Sequence, residues 1–194
     1  MRLVILSNLK DGPGFVVRRV VERFPETRIL QVQQVPWKSS WTGRLKSAFR
    51  GTWLRSVEHR AYYRGYFERG LRRLYDLLYG PAGASKLSTV AQIPSTDVNH
   101  SSTATLLASL RPDVLLVAGG PLLKPSIFSI PRLAAVNVHF GISPMYRGEH
   151  TLFWPVYCRD YRNIGVTIHI IDRGIDTGRM LAQGFVQITD GDDE

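Results

Sequence analysis

Hydrophobic and polar positions along the chain fall into short blocks that can be assigned one at a time. RLVILSN, residues 2–8, is a nearly unbroken apolar run of the kind a buried strand carries. DGPG, residues 11–14, reads as a turn, and FVVRRVVERF, residues 15–24, as a helix stopped by Pro25. TRILQVQQV, residues 27–35, then alternates as a second strand. RPDVLLVAGG (111–120) and LAAVNVHF (133–140) are later short apolar runs, each following a helical or turn segment, and residues 165–171 and 179–188 alternate as two more strands. This succession predicts an α/β fold: a Rossmann-like, doubly wound, mostly parallel sheet, with ligands held beyond the carboxyl ends of its strands. No internal repeat or low-complexity tract interrupts it.

Composition narrows the class. The 194 residues, 44% hydrophobic and 21% charged, are expected to form one domain over 1–194 with a sizeable core. No stretch reaches the roughly 18 consecutive apolar residues of a membrane span, and MRLVILSN is too short for a signal-peptide core, so a cytoplasmic protein without a membrane partner is expected. Cys158 is the single cysteine, which excludes an intramolecular disulfide, and its surroundings do not suggest a metal site.

The net charge of +9 is concentrated rather than spread. Between Trp37 and Gly80, ten Lys or Arg face three acids, Glu58, Glu68 and Asp76. This basic insert looks helical in its second half, where Phe67, Leu71, Leu74 and Leu78 recur at helical spacing. It suits either an RNA or phosphate-bearing partner, or helices packed on the sheet or on a second subunit with a solvated arginine face; the second reading explains the spacing without a ligand. GPG at 12–14 sits where a dinucleotide fold carries its glycine fingerprint, but position 17 is Val17, so a plain strand-to-helix connection is expected.

Two polar residues stand out in the fifth run. On a strand, Asn137 and His139 project from one face while Val136, Val138 and Phe140 pack the other way. The Gly and Pro of GISPMYRG, residues 141–148, end the strand directly after them, so the pair is expected where such folds place an active site. A second polar cluster, DRGIDTG at 172–178, has the composition of an exposed functional loop. Asp172 and Asp176 both lie in it, and either could be a turn-building Asx residue or a carboxylate that orients His139 for acid/base work.

These residues carry a resemblance. Asn-x-His at 137–139, Tyr-Arg-Gly at 146–148, Gly-Val-Thr-x-His at 165–169 and Asp-x-Gly-x-Asp-x-Gly at 172–178 resemble, in order and spacing, the catalytic core of the 10-formyltetrahydrofolate-dependent formyltransferases. That superfamily includes methionyl-tRNA, glycinamide ribonucleotide and amino-sugar formyltransferases and formyltetrahydrofolate hydrolase. The similarity covers roughly Leu110 to Ile188, with the first 35 residues fitting the Rossmann-like start more loosely. The resemblance implies Asn137, His139 and Asp176 as the catalytic trio, with Asp176 chosen over Asp172 because it precedes Thr-Gly, and His169 as a supporting neighbour. It implies a folate cleft between GGPLL (119–123) and DRGID (172–176), with Gly120, Leu122, Leu123, Asp172, Gly174 and Ile175 as its contacts, 10-formyltetrahydrofolate as formyl donor, and no metal.

Three differences from the family pattern bear on the acceptor. Gly141-Ile142-Ser143-Pro144 stands where many members read Ser-Leu-Leu-Pro; SNLKDGPG replaces the phosphate loop of the glycinamide ribonucleotide enzymes; and the sequence ends at ITDGDDE, where the family continues into a helix and often a further domain, so a short or truncated member is expected. The resulting expectation is formyl transfer to the amine of a small molecule such as an amino sugar or amino acid derivative. Methionyl-tRNA formyl transfer, hydrolysis of the folate, and a silent folate-binding module are the alternatives. A nucleic-acid partner and a homo-oligomer stay open, neither being required by a motif.

Overall fold

The computed structural model describes residues 1–35, 87–187 and 189. The chain divides into two compact units, Met1–Gln34 with Ser88–Glu194, and Val35–Leu87. The basic helical insert expected at 37–80, with its stripe from Phe67 to Leu78, lies outside the described residues. The sheet belongs to the first unit.

Seven strands among the described residues form one sheet in the order β3-β2-β1-β4-β5-β6-β7. They are β1 (Leu3–Ser7), β2 (Arg28–Gln33), β3 (Thr89–Pro94), β4 (Val114–Ala118), β5 (Ala134–His139), β6 (Gly165–Ile170) and β7 (Met180–Phe185). The first five pair in parallel, while β6 runs antiparallel to β5 and β7 antiparallel to β6. The sheet is therefore mostly parallel, as the sequence predicts. Every residue of β1 is buried, which is why its apolar run does not alternate: a central parallel strand is covered on both faces. On one face Val4, Leu6, Leu30, Leu115 and Val117 join Leu107 of helix α2 (Ser101–Ser109) and Ile127 of the short α3 (Pro125–Phe128) in a single cluster. Helix α1 (Asp11–Arg23) packs against β1 and β4, with Val17 fully buried.

One boundary differs from the sequence expectation. DGPG is not a turn ahead of the helix but its first turn, closed by the Gly14 amide donating to the Lys10 carbonyl at 3.1 Å. Pro13 is tolerated there because a helix's first amides have no intrahelical acceptor to lose. Gly14 answers a close approach: a Cβ would lie 2.6 Å from the Leu9 carbonyl oxygen. The glycines thus serve the β1-to-α1 connection, and no described helix is long and apolar enough to cross a membrane.

Candidate active site

The antiparallel seam between β5 and β6 builds the site. Asn137 lies directly opposite His169 in the ladder, and His139 opposite Thr167, so the four side chains share one face of the sheet. The Asn137 amide nitrogen is 3.3 Å from His169 Nε2. Residues 172–178, between β6 and β7, bring in Asp176. Its Oδ2 is 3.4 Å from His139 Nδ1, and its Oδ1 is 3.3 Å from His169 Nε2 and 3.4 Å from the Asn137 amide nitrogen. Asp176 has a φ of 51°, a left-handed conformation that Asp and Asn tolerate better than most residues.

The main chain after β5 completes the arrangement. His139 Nε2 is 2.8 Å from the Tyr146 carbonyl oxygen; a carbonyl only accepts, so Nε2 carries the proton. The Gly148 amide donates to Asp176 Oδ2 at 2.8 Å. His169 Nδ1 donates in the same way to the Ile170 carbonyl at 2.9 Å, which turns Nε2 towards Asp176. Gly141 makes room for the ring. A Cβ there would come within 2.7 Å of His139 Nε2 and 2.6 Å of Thr151 Cβ, so the close approach of ring and strand end needs the bare glycine.

Electrostatics follow from this enclosure. Burial works against the Asp176 carboxylate, but the bond from His169, the Gly148 amide and the charge of His139 outweigh it and hold the group below the ordinary carboxylate range. The same bond, donated by His169 to Asp176, raises His169 above the usual histidine value, against the cost of burial. Asp172 is occupied differently: its Oδ1 accepts from the Thr177 hydroxyl at 2.7 Å and the Gly174 amide at 3.0 Å, which shapes the loop. Of the two aspartates left open by pattern alone, only Asp176 contacts the histidines.

A cavity of about 510 Å³ opens over this cluster, and Asn137, His139, His169 and Asp176 line it. So do Gly120, Leu122, Leu123, Asp172, Gly174 and Ile175, every residue expected at the folate cleft. Gly148, the glycine of Tyr-Arg-Gly, also lines it, as do Glu149 and Thr151, which were not singled out by the sequence. Tyr-Arg-Gly was visible as a motif, yet its contribution here is a carbonyl and an amide, groups common to nearly every residue.

The family described as formyl transferase matches residues 78–194, more than half of the chain. The chain belongs to the formyl transferase family. Among curated formyl transferases it is 35% identical over 96 residues to the methionyl-tRNA formyltransferase of Chlorobium limicola, an alignment spanning 50% of this chain and 30% of that relative's length. The fold is shared with the phosphoribosylglycinamide formyltransferase of Bacillus halodurans, at a TM-score of 0.60, 16% identity, and coverage of 100% of this chain and 83% of that one. It is shared too with a sugar N-formyltransferase from a Shewanella species, at a TM-score of 0.54, 14% identity, and coverage of 97% and 58%.

Proposed function

We propose that this formyl transferase moves a formyl group from 10-formyltetrahydrofolate to an acceptor amine, using Asn137, His139 and Asp176. The observation that carries the reading is the convergence of the three side chains, with contacts of 3.4 Å between Asp176 and each of the other two, on the wall of one cavity. The donor suits the remaining wall: Val117, Leu122, Leu123, Ile171 and Ile175 offer apolar surface for a flat ring system, and Gly119, Gly120 and Pro121 line the same cavity. When bound, the donor supplies the formyl carbon and the N10 leaving group.

The chain's own residues then divide the work. The Asn137 amide nitrogen donates to the formyl oxygen as it gains charge, an interaction whose loss costs about 3 kcal/mol in comparable oxyanion sites. His139, held by its Nε2 and presenting Nδ1 towards Asp176, takes part in moving the proton of the attacking amine. Asp176 keeps the two imidazoles oriented and passes a proton towards the leaving nitrogen. In balance, the amine-to-carbon bond forms, the carbon-to-N10 bond breaks, and one proton travels from the amine to N10. Asn137, His139 and Asp176 all belong to the unit formed by Met1–Gln34 with Ser88–Glu194.

The acceptor that fits best is the amine of a small molecule such as an amino sugar or amino acid derivative. Among the described lining residues, Glu149, Asp172 and Asp176 are acidic and none is Lys or Arg, which favours a neutral or cationic group over a phosphate at the reacting end. Methionyl-tRNA is the second reading, favoured by the sequence relatives and by the basic segment between Trp37 and Gly80. Purified protein is incubated with 10-formyltetrahydrofolate and a panel of amino sugars, amino acids and methionyl-tRNA, following tetrahydrofolate release. Release that depends on one small amine is the expected result. Release dependent on methionyl-tRNA selects the second reading, release without any amine indicates hydrolysis, and no release under any condition overturns formyl transfer.

A further inference from the structure

Outside the cavity, Tyr146 is held by its own side chain. Its hydroxyl donates to Asp160 Oδ2 at 2.8 Å, and the Asn163 amide braces the same carboxylate at 3.1 Å to Oδ1 and 2.9 Å to Oδ2. The Asp160 main chain is fixed as well, its amide donating to the Pro155 carbonyl at 2.7 Å and its carbonyl accepting from the Asn163 amide at 3.0 Å. Neither Tyr146 nor Asp160 lines the cavity. The main chain of Tyr146 nevertheless reaches the residues that do: its carbonyl accepts the proton of His139 Nε2, and two residues later the Gly148 amide binds Asp176. One short stretch therefore grips both members of the histidine–aspartate pair, and a phenol–carboxylate bond anchors it from behind.

We propose that Tyr146 and Asp160 are positioning residues for the site, acting through the Tyr146 carbonyl to keep the proton of His139 on Nε2 and its Nδ1 turned to Asp176. The carboxylate beside Tyr146 pushes its hydroxyl up to about 12, so the phenol stays a donor throughout the working range. The Asn163 amide, and after it the Tyr146 hydroxyl, holds Asp160 below the ordinary carboxylate range, so the acceptor stays ionised. The clamp is thus fixed in one protonation state while the groups it positions exchange protons. Loosening such a support misplaces a reacting group by a fraction of an ångström, enough to slow the chemical step without removing a binding contact.

The test reads the ring directly. Nitrogen-15 spectra of the imidazoles are recorded at about pH 9, above the ordinary histidine range, with the His139 signals assigned by comparison with His139→Gln. In the wild-type chain His139 should show one tautomer, with the proton on Nε2. Tyr146→Phe and Asp160→Ala remove the same bond from opposite ends, so each should give a mixture of tautomers, and the double variant should be no worse than either. With the acceptor that gives the fastest tetrahydrofolate release, kcat should fall about tenfold in each while KM for 10-formyltetrahydrofolate stays within about twofold. Wild-type tautomer and wild-type kcat in folded Tyr146→Phe would overturn the proposal. Should Tyr146→Phe fail to fold, the same pair of results in Asp160→Ala would overturn it equally. The kinetic arm rests on the proposed formyl transfer. Mixed tautomers together with no turnover by any form, wild type included, would overturn that reaction and leave the positioning role standing.

Discussion

Asn137 meets its neighbours at 3.3 and 3.4 Å, the long end of the hydrogen-bond range, so its amide is oriented without being committed. A carbonyl oxygen arriving in the cavity can take that nitrogen at little cost, which is the behaviour an oxyanion donor needs. Asn137→Ala, His139→Ala and Asp176→Ala should each lower tetrahydrofolate release by at least about 100-fold, with combined losses far smaller than the product of the single ones. Circular dichroism of the same preparations separates lost chemistry from lost folding; near-wild-type turnover in His139→Ala would remove it from the mechanism. Asn137 and His139 were legible because a period of two sets them on one face, and Asp176 was separated from Asp172 only through resemblance to a family. Pattern could not do so, since both sit in one polar loop and differ only in which way the chain turns at Gly174 and Thr177. The Tyr146 carbonyl and the Gly148 amide were invisible, because main-chain groups leave no mark in a sequence.

Elements show the same division. β1, β2, β4 and β5 announce themselves by apolar runs, whereas β3 and α2 were not anticipated. In β3 only Ile93 is buried, and in α2 only Thr103 and Leu107 are, so neither carries a hydrophobic stripe long enough to read. The α2 side of the sheet still reaches the site. Asn99, just ahead of α2, donates its amide to the Leu122 carbonyl at 2.9 Å and accepts from the Lys124 amide at 2.7 Å, clasping the segment expected to line the folate cleft. Removing both bonds should free that segment without touching Asn137 or His139. Asn99→Ala is therefore expected to raise KM for 10-formyltetrahydrofolate about tenfold, the equivalent of about 1.4 kcal/mol, and to leave kcat within about twofold. Steady-state kinetics decides it: a fall in kcat alone would place Asn99 with the chemistry, and no change in either would show the clasp to be idle.

For the molecule as a whole, the buried cluster ties stability to pH in two opposite windows. His169 has a raised pKa, so its contribution is complete below its ordinary value of 6.5 and is lost as pH rises through the folded value. Asp176 has a lowered pKa, so its contribution is complete above its ordinary value of 3.8 and is lost as pH falls through the folded value. Between those ordinary values both are in force. His169→Gln should accordingly melt about 5 °C below wild type near pH 6, and the gap should narrow towards about pH 9, as the pH rises through the raised folded value. Scanning calorimetry at both values checks this; an equal gap at each would assign the histidine's contribution to packing. The crowding at position 141 reaches further, into how such a chain can diverge. With His139 Nε2 at 2.7 Å and Thr151 Cβ at 2.6 Å from any Cβ placed there, a descendant that gains a side chain at 141 must reset its imidazole in the same step or lose the Tyr146 contact that holds it. Glycine at 141 therefore ties the freedom of that position to the setting of one histidine: the two can change together, and neither can change alone.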